Sequence, residues 1–278
     1  MDMADWGGLV IRPSMTSSYP DCNLRGLVRA FPHVFNAMGF RLGTTTQSIA
    51  AFVGTGVHSG VAHALATKLN TGELASEGES EDAALSSFHH EMDQAGDVGT
   101  DTTTPTINVA EGQVRRMVKS YLVHIAPSIN PMLVETKLHS DAGDGFFVDG
   151  TADLMVMEPG GIDDLKTGAV ERVALVQVGT YSRIHRAHGY DVQWLRQTFV
   201  ERVPLAAVQP FPVQRYYDVG LAEQVSEARI NQIKRDVIAL IETENPLVVQ
   251  ANPSSMLCSA KWCPLHGTIG CRQHKGAK

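Results

Sequence analysis

Apolar residues along the chain alternate between two spacings, one helical and one strand-like. Helical spacing predicts a helix over about Asp21 to Ala30 and a second from near Thr46 to Leu69, broken near Gly54. Asn108 with Glu111 three residues later forms a capping-box pattern. Val114, Met117, Val118, Tyr121, Leu122 and Ile125 then fall on one helical face, and Pro127 closes it. Strand-like runs follow at Leu133–His139, Phe146–Asp149, Thr151–Met157 and Ile162–Lys166, the last two joined by the turn sequence Glu158-Pro159-Gly160-Gly161. Beyond Gly168, Val170–His188 has helical spacing, Asp191–Val203 and Val208–Tyr217 read as strands, and a helix through Val225, Ile233, Val237, Leu240 and Ile241 ends at Pro246. Helices interleaved with strands point to an α/β fold with a mixed sheet.

The 278 residues are expected to form a single domain, residues 1–278. Residues 71–106, rich in Gly, Ser, Thr and acids, read as a flexible surface insertion. Net charge is -7, which argues against a polyanionic partner until its distribution is considered. Nine carboxylates from Glu73 to Asp101 lie in a stretch without Lys or Arg, so the remaining chain is mildly basic. No run of about 18 apolar residues argues for a membrane span. No apolar secretory segment is visible at the N-terminus, so a reducing cytoplasm is the expected compartment. In that setting the four cysteines read as metal or cluster ligands, or as plain thiols, rather than disulfides.

The most informative segment runs from Gly150 to Gly168. Asp153 falls on one strand of the hairpin, and Asp164 and Lys166 on the other. Their spacing of two puts Asp164 and Lys166 on one face and sends Leu165 toward the core. Two carboxylates beside a lysine suit phosphodiester hydrolysis. Hard oxygen ligands hold Mg²⁺ or Mn²⁺, and the lysine orients water or stabilises charge on the phosphate. A bare pattern of this kind is more often an ordinary ion pair on an exposed hairpin.

The flanks add weight. Gly150-Thr151-x-Asp153 followed by Asp164-x-Lys166-Thr167-Gly168 resembles the core motif of RecB-like nucleases in the PD-(D/E)XK superfamily. Gly54-Thr55-x-x-His58 resembles the upstream histidine motif of that family, Glu135 stands where an acidic strand residue is often found, and Gln177-x-x-x-Tyr181 resembles its Q-x-x-x-Y motif. The resemblance spans about Pro13 to Tyr181 and resumes in the tail. It implies a restriction-endonuclease-like α/β core, with His58, Asp153, Asp164 and, less directly, Glu135 as metal ligands. Lys166 would serve the attacking water, and Gln177 and Tyr181 would position the DNA backbone or the lysine.

Cys22 stands near the N-terminus, whereas Cys258, Cys263 and Cys271 lie within residues 254–278, a tail expected to pack on the N-terminal segment. One cysteine plus three resembles the iron–sulfur branch of these nucleases, which includes AddB and CRISPR-associated members. There a [4Fe–4S] cluster joins the two ends of the chain. A zinc site using the three tail cysteines with Cys22, His266 or His274 is the alternative, and unliganded thiols a third. Arg183, His185, Arg186 and His188 form a basic face that either meets phosphate or is simply solvated. Lys261, Arg272, Lys275 and Lys278 make the tail basic, and Trp194 and Trp262 read as packing residues.

The combined expectation is a metal-dependent DNA exonuclease of recombination, repair or phage DNA metabolism. It is compatible with a homo-oligomer and with a helicase or recombination partner. The rival reading is a non-catalytic DNA-binding or scaffold module with a cysteine-ligated metal.

Overall fold

The structure is a computed structural model and describes residues 8–157 and 159–272. In chain order the elements are β1 (Leu9–Ile11), α1 (Pro13–Ser18), α2 (Asn23–Ala30), α3 (Pro32–Ala37), β2 (Gln47–Ser48), α4 (Ile49–Thr71), α5 (Glu77–Gln94), β3 (Val98–Gly99) and α6 (Ile107–His124). They continue with β4 (Pro131–Gly143), β5 (Phe146–Val156), β6 (Gly161–Gly168), α7 (Leu175–Ala187), β7 (Trp194–Glu201), β8 (Val213–Tyr217), α8 (Val219–Thr243) and α9 (Ile269–Arg272).

A mixed six-stranded sheet organises the molecule, with helices packed against it. β5 is its hub. It pairs antiparallel with β4 along nearly its whole length, so its other edge carries both remaining partners. β1 lies parallel to it at Phe146–Val148, and β6 lies antiparallel at Leu154–Val156. Between these two contacts that edge of β5 has no strand beside it. β6 then pairs parallel with β7 through the α7 crossover, and β8 closes the far side antiparallel.

Three apolar clusters fill the interior. Phe52, Val57, Phe88, Met117, Tyr121 and Leu165 join α4, α5 and α6 to the sheet. Leu27, Phe31, Phe35, Ile233, Leu240 and Leu265 join the N-terminal helices to α8 and the tail. Val178, Tyr181, Ile162 and Leu195 seat α7.

Several expectations are corrected. Residues 71–106 contain the 18-residue helix α5 rather than a flexible insertion. Ser76 and Glu79 form a reciprocal capping box that satisfies its first orphan amides. Ala84 and Phe88, too sparse to stand out among the acids, are fully buried. Glu77 and Glu81 pair with Lys119 and Arg115 of α6 at 2.7 and 3.1 Å, so part of the acidic run is neutralised by the neighbouring helix. α4 is continuous through Gly54, because its glycines serve close packing rather than a break. A Cβ on Gly60 would lie 2.7 Å from the Ser80 carbonyl oxygen of α5. α6 is capped by Thr106, whose hydroxyl accepts from the Val109 amide, not by Asn108. Phe146–Asp149 and Thr151–Met157 form one strand, and α7 starts at Leu175 because residues 169–174 form a loop. α4 is also apolar and long enough to pass a composition test for a bilayer span, but half of that window is buried against its protein neighbours. Glu158 of the expected turn lies outside the described residues.

Truncating Phe88 to Ala should lower unfolding free energy by about 3–5 kcal/mol, as for other buried aromatics. Urea denaturation measures this, and an unchanged midpoint would contradict a packed α5.

Candidate active site

β5 and β6 are paired over only three residues and then diverge. Divergence leaves the Leu165 amide without a strand partner, and the Asp153 carboxylate takes that place. Leu165 N–H donates to Asp153 Oδ2 at 2.6 Å. The other carboxylate oxygen of Asp153 lies 3.0 Å from His58 Nδ1, which α4 delivers across the sheet. Glu135 completes the group from β4, with Oε1 4.0 Å from the same imidazole nitrogen.

Glu135 reaches in through an uncommon backbone. Val134 pairs with Leu154 and Thr136 with Ala152, while Glu135 and Asp153 drop out of the ladder between them. Glu135 has φ of 45°, in the left-handed region, a conformation that costs a non-glycine residue about 1–3 kcal/mol. Strain of this kind persists only where the surroundings impose it. One donor atom each from His58, Glu135 and Asp153 lies within 4.8 Å of the others, a spacing that could hold a metal ion.

Asp164 and Lys166 project beside this group from β6, while Leu165 is buried in the core as the strand period requires. Lys166 Nζ is 2.7 Å from Asp164 Oδ2. Gln177 on α7 donates from Nε2 to Asp164 Oδ1 at 3.3 Å and to Tyr181 Oη at 3.2 Å, so the i, i+4 pair on α7 anchors the second carboxylate. Asp164 is not part of the tight His58, Glu135 and Asp153 group. Its partners are the lysine and the glutamine.

The electrostatics follow from crowding. Burial, reinforced by Asp153, pushes the Glu135 carboxyl up to about 7. Burial likewise carries Asp164 to about 6 against the pull of Lys166. Burial would also raise Asp153, but His58, Lys166 and the Leu165 amide outweigh it and hold that carboxyl below its ordinary value. Burial opposes the charged forms of His58 and Lys166, and the surrounding carboxylates reverse the sign and hold both above their usual values. Glu135, Asp153 and Asp164 thus lie close enough to shift one another, with His58 and Lys166 held charged among them.

A groove of about 390 Å³ opens over His58, Glu135 and Asp153, floored by Ala50, Ala51, Gly54 and Thr55 of α4. A neighbouring groove of about 340 Å³ shares Ala50 and Thr167 with it and is lined by Lys166, Arg172 and Arg202. Small residues on α4 therefore keep the approach to the acids open.

Other sequence expectations fare differently. Cys22, Cys258, Cys263 and Cys271 all line one small apolar cavity, about 20 Å³, and none is in a disulfide. The segment before the tail cysteines is held to the N-terminal one by Asn252 Nδ2 donating to the Asp21 carbonyl at 2.9 Å and Ser255 Oγ donating to Asp21 Oδ2 at 2.7 Å. The basic face on α7 does not await phosphate. Arg183 and Arg186 pair with Glu227 and Glu223 of α8 at 3.1 and 2.8 Å, His185 is buried, and His188 lies 2.7 Å from the His139 carbonyl oxygen. Trp194 packs under the Arg196 guanidinium, 5.0 Å from its ring centroid, and Lys261 covers Trp262 at 4.8 Å. His274, Lys275 and Lys278 lie outside the described residues, as does the Arg272 side chain.

Asp163 was not distinguished by the sequence, although it adjoins Asp164. It is buried on the opposite face of β6, where Arg196 Nη2 donates at 2.6 Å and Thr198 Oγ1 at 2.7 Å from β7. Only the β6–β7 register, Asp163 opposite Arg196, brings this pair together. Burial pushes the Asp163 carboxyl up despite Arg196.

No protein-family model matches the chain, and no curated protein matches it. Among solved structures it is similar to a protein from Eubacterium rectale described as "Putative exonuclease", at 13% identity, over 84% of this chain and 82% of that one, with a TM-score of 0.52. The alkaline exonuclease of Laribacter hongkongensis is also found, at 14% identity over 77% of this chain and 97% of that one, with a TM-score of 0.31. A form of it in complex with dAMP aligns over 68% of this chain and 96% of that one at 12% identity, with a TM-score of 0.32. The first of these likenesses supports the mixed α/β fold described above.

Removing one partner of the buried Asp163–Arg196 pair strands the other charge. Asp163→Ala should destabilise the protein by about 3–5 kcal/mol. Chemical denaturation would show it, and a change below 1 kcal/mol (by the same reasoning) would contradict the buried pair.

Proposed function

We propose that this chain is a divalent-metal-dependent DNA nuclease, acting as an exonuclease. The observation that carries the reading is the convergence of His58, Glu135 and Asp153 to within 4.8 Å, with the Asp164–Lys166 pair beside them. The residues fit a hard divalent ion. Two carboxylates and an imidazole suit Mg²⁺ or Mn²⁺. Asp164 Oδ2 is buried with no aligned hydrogen bond beyond its contact with Lys166, so it has acceptor capacity to spare. The crowding that lifts Glu135 and Asp164 is what a bound cation would relieve.

His58, Glu135 and Asp153 would hold the ion, with Asp164 beside them on β6. When bound, the ion would supply electrophilic polarisation of the scissile phosphate and a more acidic water. The chain's own residues do the rest. Lys166, kept protonated by two carboxylates, offers an ammonium to the phosphate oxygens and restrains the water. Gln177 and Tyr181 fix Asp164 so that Lys166 has one preferred position. The small-residue floor of α4 leaves room for a sugar–phosphate backbone to lie across the acids.

Asp164→Ala should reduce Mn²⁺-dependent digestion of end-labelled linear DNA by at least about 10³-fold, in the range seen when a group stabilising transition-state charge is lost. Thermal unfolding should confirm a folded variant, and EDTA should silence the wild type. Full cleavage by that variant, or by the wild type in EDTA, overturns the reading. Comparing linear with closed circular DNA tests the exonuclease assignment.

The four cysteines support a structural metal centre tying residues 258–271 to Cys22. All four line one cavity, which supports a shared ligand set, with a [4Fe–4S] cluster as the proposed occupant and zinc as the alternative. Anaerobically purified protein should contain iron and acid-labile sulfide, and Cys263→Ser should lose both and melt earlier. One equivalent of zinc without iron would refute the cluster.

A further inference from the structure

A groove larger than the one over the acids lies elsewhere in the molecule. It measures about 560 Å³ and lies where β1 runs into α1 and α2. Arg12, Arg25 and Arg29 line it, with Ser14 and Ser18 adding hydroxyls, and no lining residue is acidic. In a chain of net charge -7 this is an unusual concentration of cations. Arg12 and Arg29 are exposed, and among the described residues their guanidiniums have no ion pair or hydrogen bond. Arg25 is 5% exposed. Its Nη2 meets Asp21 at 2.7 Å, while its Nη1 is buried without a partner. A guanidinium left half-satisfied is costly unless an anion completes it.

The place of the groove in the fold connects it to the candidate site. Ile11 pairs with Val148 on β5, and Arg12 follows directly. Asp153 lies five residues farther along the same strand, about 16 Å at the usual strand rise. That span corresponds to about five nucleotides of a helical strand. β1 and β6 share one edge of β5, so Arg12 and the acids stand at opposite ends of its unpaired stretch.

We propose that the Arg12, Arg25 and Arg29 groove binds the phosphate backbone of the DNA strand whose end reaches the acids. The inference rests on the nuclease reading above and adds a second, sequence-independent contact to it. Planar guanidiniums match phosphate oxygens bidentately and carry no base information. The groove thus sets affinity and register, and the acids set chemistry.

The test uses the whole protein, a fluorescein-labelled single-stranded 20-mer, and anisotropy in EDTA across a salt series. The R12E/R29E variant should bind about tenfold or more weakly at 0.1 M salt, with a salt slope shallower by about 1.4, the value for two lost phosphate contacts. A control, R41E/R235E, changes net charge equally at exposed arginines outside the groove and should keep the wild-type slope. Thermal melts establish that both variants fold. Equal affinity and slope in R12E/R29E and the wild type overturn the inference, as does an equal loss in both variants. A wild type that binds with the expected slope difference yet cleaves nothing in Mn²⁺ leaves the groove standing and sinks the nuclease reading.

Discussion

The candidate site depends on a single replacement in the sheet. Where β5 and β6 part, a backbone amide would be left open in a half-buried position, and the Asp153 carboxylate closes it. A carboxylate accepting a backbone amide is held in one rotamer. Its second oxygen is therefore aimed, and it is aimed at His58. Remove that constraint and neither the imidazole from α4 nor the carboxylate from β4 has a fixed reference.

Around this point the fold accumulates charge rather than dispersing it. Burial raises Glu135 and Asp164, while His58 and Lys166 are held charged by the same acids. Such arrangements cost stability when no ligand relieves them. The left-handed Glu135 adds backbone strain on the same spot. By contrast, Asp163, on the other face of β6 from Asp164, is closed by Arg196 and Thr198, although it lines a small cavity with His58, Glu135 and Asp153. Two adjacent aspartates thus serve different ends because the strand period turns them to opposite faces.

The helices set access. α4 carries His58 and also Ala50, Ala51 and Gly54, so one element both supplies a ligand and keeps the floor low enough for a backbone to approach. α5 and α6 press α4 onto the sheet through Phe88 and Met117. α7 braces Asp164 from the other side and is itself locked to α8 by Arg183 and Arg186. The arginine groove at α1 and α2 sits at the other end of the unpaired edge of β5, which gives a polyanion two anchoring points on one strand.

Strand period two already places Asp164 and Lys166 together with Leu165 inward, and i, i+4 spacing already places Gln177 beside Tyr181. Those are local consequences of backbone geometry, and the residues alone settle them. The order of the main elements from α6 to α8 was largely legible too, because apolar periodicity survives along them. Long-range facts were not. That residues 71–106 hold a helix depends on Phe88 and Ala84 meeting α4 and α6, which no local pattern among so many acids reveals. That Glu135 turns inward depends on a ladder interrupted opposite Asp153, and that Arg12 shares an edge with the acids depends on β1 joining β5 across more than 130 residues of chain. Contacts of this kind are fixed by burial and register between distant segments, and only the folded chain brings those segments together.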